Sequence, residues 1–343
     1  YKRYLADHGW EHKLEPKDGR PFHAWNYGLL AGPTESTVPY FLAENTIDLI
    51  DRFQASGQPF FIWHNFWGPH NPYWVPREWY AIYEGVEIPQ WPNYHWDARG
   101  TNRPHRVKLH THTEALTWAD WAEAIRYYYA FTSLIDAQIG RILDHLDAVG
   151  LREDTIVVFA ADHGETLGTH GGMTDKGWHH FEEIQRIPLI VWLPKKHYRG
   201  GRRPGDVLGE WASLVDVYPT LLDLAAVQVD ESAIHGRSLL PLLEGKSVAW
   251  RDRVFVEFFG VNSLLTSMAS VRRNDLKYGW NCSNEDDLYD LGADPYEMHN
   301  LIDDRDYAGA VRHMRGLLEE WMMETGYPGL GYYRRTRMGA FPY

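Results

Sequence analysis

A chain of 343 residues with 44% apolar and 24% charged side chains is long and apolar enough to close a large hydrophobic core. Its 34 Lys and Arg against 47 Asp and Glu leave a formal charge of -13, which excludes a general polyanion binder and argues against nucleic acid or an anionic membrane surface as its partner. No run approaches the ~20 apolar residues of a membrane span, no secretion signal is read in the opening residues, and one cysteine, Cys282, excludes an intrachain disulfide or a cysteine metal cluster without fixing a compartment.

In chain order, AENTIDLIDRF at 43–53 sets Ile47, Ile50 and Phe53 at helical spacing and stops at Gly57, predicting a helix. PFFIWHNF at 59–66 predicts a buried strand. From Pro69 to about His112 repeated prolines break any period, so a long ordered loop is expected. Apolar residues three and four apart then predict a helix over 118–149 that ends at Gly150, and TIVVFAAD at 155–162 reads as a strand from the centre of a parallel sheet. IPLIVWLP at 187–194 predicts another buried strand. SLVDVYPTLLDLAAV at 213–227 predicts a helix that tolerates Pro219 only near its start or a kink. This alternation implies a doubly wound α/β core, a mainly parallel sheet sandwiched by helices, over residues 1–246. From 247 to 343 the texture changes to short strands at 253–259, 267–273 and 276–281, a small antiparallel sheet, with a helix at 306–323 to cover it. The stretch 285–306, nine carboxylates against one arginine, reads as a solvated loop rather than an ion site.

The chemistry concentrates in FAADHGETLGTHGGMTDKGWHH. Ligands of open α/β sheets sit beyond the carboxyl ends of the strands, where Asp162 and His163 fall. A carboxylate and an imidazole can share a divalent cation, and Gly164 lets the backbone turn away behind them, although an aspartate before a turn is equally a helix cap. Lys176, in a glycine-rich loop, suits an anionic substrate group or is simply solvated. In WHNFWGPHNPY, His70 is fixed between prolines, as a general acid or oxyanion donor must be, whereas His64 lies within the strand and reads as a core histidine. His110 and His112 read as solvated loop residues. The tryptophans at 63, 67, 74, 79, 91 and 96 suit either sugar and aryl stacking or the packing of a long loop.

Taken in order, PFFIWHNFWGPHNPY, the DHGETLGTHGGMTDKGWHH block, SLVDVYPTLLDLA with HGRSLLPLL, and DLYDLGADPYEMHNL resemble the type I sulfatases of the alkaline phosphatase superfamily. The resemblance implies sulfate ester hydrolysis, with a small-molecule or carbohydrate ester as substrate. It maps a divalent metal, most often Ca2+, to Asp162 and His163, with Mn2+ or Zn2+ left possible by the imidazole. It gives Lys176 the sulfate and His70 the sulfate or the leaving-group oxygen. It also implies a formylglycine nucleophile from a C/S-x-P-x-R motif, which does not occur in this sequence; Cys282 has the wrong context. The chain is therefore expected to carry the C-terminal part of an active site, as a fragment, a cleaved chain or a natural truncation. The family favours an extracytoplasmic location, and a homo-oligomer is possible. A phosphodiesterase or phosphonate monoester hydrolase of the same superfamily, and a non-catalytic scaffold, are the alternative readings.

Overall fold

The computed structural model describes residues 1–15, 27–96, 116–176, 179–197, 202–228, 230–260, 266–282 and 285–339. The chain divides into two compact units, one comprising Tyr1–Trp91 with His112–Val157, the other Pro92–Thr111 with Val158–Tyr343.

In the first unit, strands β1 (Tyr27–Leu30) and β2 (Tyr73–Pro76) pair in parallel, with Tyr27 opposite Tyr73. Two long helices carry this unit. Val38–Ser56 starts at Thr37, whose hydroxyl accepts the Tyr40 N–H, and stops at Gly57 in the left-handed conformation that glycine adopts without strain. Trp118–Ala148 opens with a capping box, the Thr117 side chain accepting the Asp120 N–H while the Asp120 carboxylate accepts that of Thr117. Ala130, Leu134 and Ile125 on this helix are fully buried, and His145 Nε2 meets Asp51 Oδ1 of the other helix at 2.6 Å.

Two expectations in this unit change. Residues 59–66 are not a paired strand among the described residues; they run with strict alternation, Phe60, Ile62, His64 and Phe66 half-buried, Phe61 and Trp63 each 70% exposed. The aromatic run has the period of a strand but no ladder partner among the described residues. The expected loop from 69 holds strand β2 and a short helix, Arg77–Ala81, because Pro76 sits at a strand end and pre-sets the entry to the helix. His110 and His112 lie outside the described residues.

The second unit contains β3 (Val157–Ala160) hydrogen-bonded to β4 (Leu189–Trp192), a helix Val217–Leu224 with Pro219 in its first turn, and a four-stranded sheet in the order β5-β6-β7-β8. Strands β3 and β4 were expected to be buried, yet Phe159 is 39% and Ile190 59% exposed, since each strand has one partner among the described residues. The four-stranded sheet, β5 (Arg253–Phe258), β6 (Met268–Arg273), β7 (Leu276–Asn281) and β8 (Asp287–Asp290), is antiparallel throughout. Helix Ala308–Glu324 covers one face, burying Met314, Leu318 and Met322 against Val271, Tyr278 and Trp280. Strand β8 runs through the acidic stretch expected to be a solvated loop. Asp286, Asp287 and Glu297 are at most 4% exposed there, and Asp286 meets Arg315 at 3.0 Å and Arg337 at 2.8 Å, so these carboxylates brace the sheet.

No described helix is long and apolar enough to cross a membrane.

Candidate active site

Beyond the end of β3 the chain turns through Asp162, His163 and Gly164. Asp162 Oδ1 accepts the His163 N–H at 3.0 Å, and its side chain is 86% exposed. His163 Nδ1 lies 2.8 Å from the Gly164 carbonyl, which can only accept, so Nδ1 carries a ring proton and Nε2 is the nitrogen left to offer a lone pair when the ring is singly protonated. That nitrogen is 3.5 Å from Asp162 Oδ2. In that tautomer, selected by the backbone carbonyl, the imidazole and the carboxylate would each offer a lone pair to the space between them.

Gly164 serves a purpose other than a sharp turn. Its N–H donates to the Ile184 carbonyl at 2.8 Å, and a Cβ there would lie 1.8 Å from the Glu183 carbonyl oxygen. Glycine is required because another backbone passes against it.

The loop that follows is closed on itself: the Thr166 hydroxyl donates to the Asp175 carbonyl at 2.6 Å and the Gly168 N–H to that of Met173 at 2.7 Å. Leu167, Gly168, His170, Gly171, Gly172 and Asp175 all have positive φ, which explains the density of glycines. Burial, with the nearby Asp175 charge, pushes the Glu165 carboxyl up to about 7 against the pull of the Thr166 and Leu167 N–H groups. Lys176 ends the loop, 27% exposed, its Nζ 3.2 Å from Asp175 Oδ1. The ammonium is held near the loop by its own neighbour.

Three polar residues behind this rim were missed in the sequence. Asn93 Nδ2 donates to Glu183 Oε1 at 2.7 Å and lies 3.4 Å from His170 Nδ1. The His170 ring, fully buried, stacks on Phe181 with centroids 3.5 Å apart. Burial raises the Glu183 carboxyl while the Asn93 amide opposes it. No periodicity marks such scattered positions. His180, also buried, had one indirect signal: Gly279 within strand β7 marks a close approach, and a Cβ there would lie 2.3 Å from His180 Cδ2.

His70, in the first unit, stands between two cis peptide bonds, Gly68–Pro69 and Asn71–Pro72. Its Nδ1 lies 2.6 Å from the Asn71 carbonyl and its ring 5.0 Å from that of Trp67. The turn is pinned to the long helix, since a Cβ at Gly68 would come within 2.5 Å of the Phe131 ring. His64 is only partly the core histidine expected: its Nδ1 meets the Thr46 hydroxyl at 2.6 Å, its Nε2 is buried without a hydrogen bond, and burial lowers its pKa. Of the six tryptophans, Trp79 donates to Thr34 Oγ1 and Trp96 packs on His170, while Trp63 and Trp67 expose about 70% of their surface.

A family model described as Sulfatase matches residues 4–227, and one described as N-sulphoglucosamine sulphohydrolase, C-terminal, matches 168–324. The chain belongs to the sulfatase family. It is 30% identical to an arylsulfatase of Clostridium perfringens over 86% of this chain and 58% of that protein. It is 34% identical to an N-acetylglucosamine-6-O-sulfatase of Bacteroides thetaiotaomicron over 60% of this chain and 36% of that protein. The solved phosphonate monoester hydrolase of Agrobacterium radiobacter superposes with a TM-score of 0.68 at 26% identity, over 87% of this chain and 62% of that one. The chain therefore spans between about a third and two thirds of the relatives it matches.

Sulfatases as a family use a divalent metal and a formylglycine. Among the described residues no three His, Cys, Asp or Glu side chains cluster closely enough to hold a metal ion. Asp162 and His163 supply two donors, short of the six or more that calcium takes, so the described residues do not by themselves complete such a site.

Proposed function

We propose that this sulfatase-family chain carries part of the active site of an enzyme that hydrolyses sulfate monoesters of small molecules or carbohydrates. The observation that carries the reading is the Asp162–His163 pair beyond the end of β3, with the imidazole tautomer fixed by the Gly164 carbonyl. These two residues are the donors this chain would contribute to a divalent cation; the resemblance implies calcium, and the nitrogen ligand equally suits manganese or zinc.

In this reading the Lys176 ammonium neutralises charge on the sulfate oxygens as the S–O bond to the alcohol breaks. Asp175, paired with it, limits the positions the flexible side chain must be drawn from. His70 is given the departing alkoxide on the resemblance alone: with Nδ1 donating to the Asn71 carbonyl, Nε2 is the atom that would deliver the proton, from the doubly protonated imidazolium, leaving the neutral ring. The nucleophile, a formylglycine by the same resemblance, is not among these residues. A carbohydrate ester is favoured by the N-acetylglucosamine-6-O-sulfatase relative, and an extracytoplasmic location is proposed with it. The likeness to the phosphonate monoester hydrolase supports a second reading, hydrolysis of a phosphonate monoester or a phosphate diester by the same groups.

Variant kinetics on the complete gene product test the assignment. Lys176→Ala lowers kcat about 10²- to 10³-fold. His70→Ala lowers kcat about 10²-fold or more with a poor alkoxide leaving group and far less with a nitrophenolate, which needs no proton. Equal losses for both leaving groups would remove His70 from the proton-delivery role. Unchanged kcat in Lys176→Ala would remove that residue from the sulfate.

A further inference from the structure

The C-terminal acidic signature reaches the site through the backbone. Glu182 opens the short helix Glu182–Gln185, and its N–H donates to Glu297 Oε2 at 2.7 Å. The Glu297 side chain, 1% exposed, forms an ion pair with Lys277 Nζ, itself 1% exposed on strand β7. Lys277 also reaches Glu182 Oε1 at 3.2 Å, and Arg272 of β6 closes on the other oxygen of the same carboxylate. One buried lysine and one arginine thus hold two glutamates from distant stretches of sequence. The helix so anchored carries the Ile184 carbonyl that accepts the Gly164 N–H and, beside it, the Glu183 carbonyl that lies too close to Gly164 for any side chain there. An apolar cluster runs beside it, with Phe181 and Ile184 packed on Tyr289 and Leu291 of the acidic stretch.

Truncating Glu297 leaves the Glu182 N–H and the Lys277 ammonium without their acceptor in low dielectric, so the network has one arrangement and holds its neighbours rigidly. We propose that Glu297 is a positioning residue for the Asp162–His163 pair: through the Glu182 N–H and the Ile184 carbonyl it fixes the backbone at Gly164, whose own carbonyl sets the His163 tautomer. The significance for catalysis rests on the sulfatase reading; the mechanical link does not.

Amide hydrogen exchange separates the two. In Glu297→Ala, exchange in peptides covering 162–168 and 181–186 rises at least about tenfold, while the β6–β7 hairpin, 268–281, keeps its protection. Glu297→Gln retains an oxygen to accept the Glu182 N–H and keeps exchange at Gly164 within about threefold of the parent. Should Glu297→Ala fail to fold, Glu297→Asp, whose shorter side chain draws the carboxylate from that N–H, takes its place. Unchanged exchange at Gly164, exchange in Glu297→Gln equal to that in Glu297→Ala, or an equal rise in the β6–β7 hairpin would each overturn the inference. In the complete enzyme the alanine variant loses kcat at unchanged KM and the glutamine variant restores it. A parent enzyme inert towards sulfate esters would defeat the proposed function and leave the exchange result standing.

Discussion

Gly164 is the residue where sequence, packing and site meet most tightly. Adding one methyl group drives it into the Glu183 carbonyl, so Gly164→Ala must displace either the Asp162–His163 turn or the helix Glu182–Gln185. The expected cost is about 3 kcal/mol by urea titration, at the upper end of overpacking in a rigid interior. Glu297 gives a pH signature. Burial pushes its carboxyl from 4.5 up to about 7 although Lys277 pulls the other way. The folded state therefore keeps a proton that the unfolded state releases, and this contribution to stability is full below 4.5 and lost as the pH rises through about 7. Urea midpoints of Glu297→Gln relative to the parent should accordingly shift in favour of the variant between pH 5 and pH 8; a difference independent of pH would contradict that. The position of Asp162 and His163 just beyond β3 was legible because they directly follow an apolar run. Glu297 was not, because nine carboxylates in one stretch give no sign of which one folds onto a lysine.

Among the elements, those with a long unbroken period were readable and those decided by partners were not. Helix Trp118–Ala148 declares itself by its three-and-four spacing and its stop at Gly150, and the structure adds the Thr117–Asp120 cap at its start. Leu134 on it is fully buried, so Leu134→Ala should cost about 2–5 kcal/mol, and Thr117→Ala about 1 kcal/mol for the lost cap, both measurable by urea unfolding. A cost below about 1 kcal/mol for Leu134→Ala would contradict the packing described. Residues 59–66 carry equally strong strand chemistry, yet pairing needs a second chain segment that composition cannot reveal. Strand β8 hid for the opposite reason, its apolar Leu288 and Tyr289 being enclosed by charge that reads as solvated.

For the whole molecule, the family and the α/β class were legible because four blocks recur in order along the chain. The boundary proposed near residue 246 has its own test in limited proteolysis, which should nick between Leu243 and Arg253 before it cuts the four-stranded sheet. Exposed Phe61, Trp63 and Trp67 of the unpaired aromatic run, with Ile190 on β4, leave apolar surface in water. This chain alone should therefore self-associate, seen as a light-scattering mass that grows with concentration. The measurement that bears most directly on the central claim is kcat/KM of the complete gene product for 4-nitrophenyl sulfate and 4-nitrophenyl phenylphosphonate, which share a leaving group. The sulfate ester is predicted to be preferred by at least about tenfold. Preference for the phosphonate, or no hydrolysis of any sulfate ester, would contradict it.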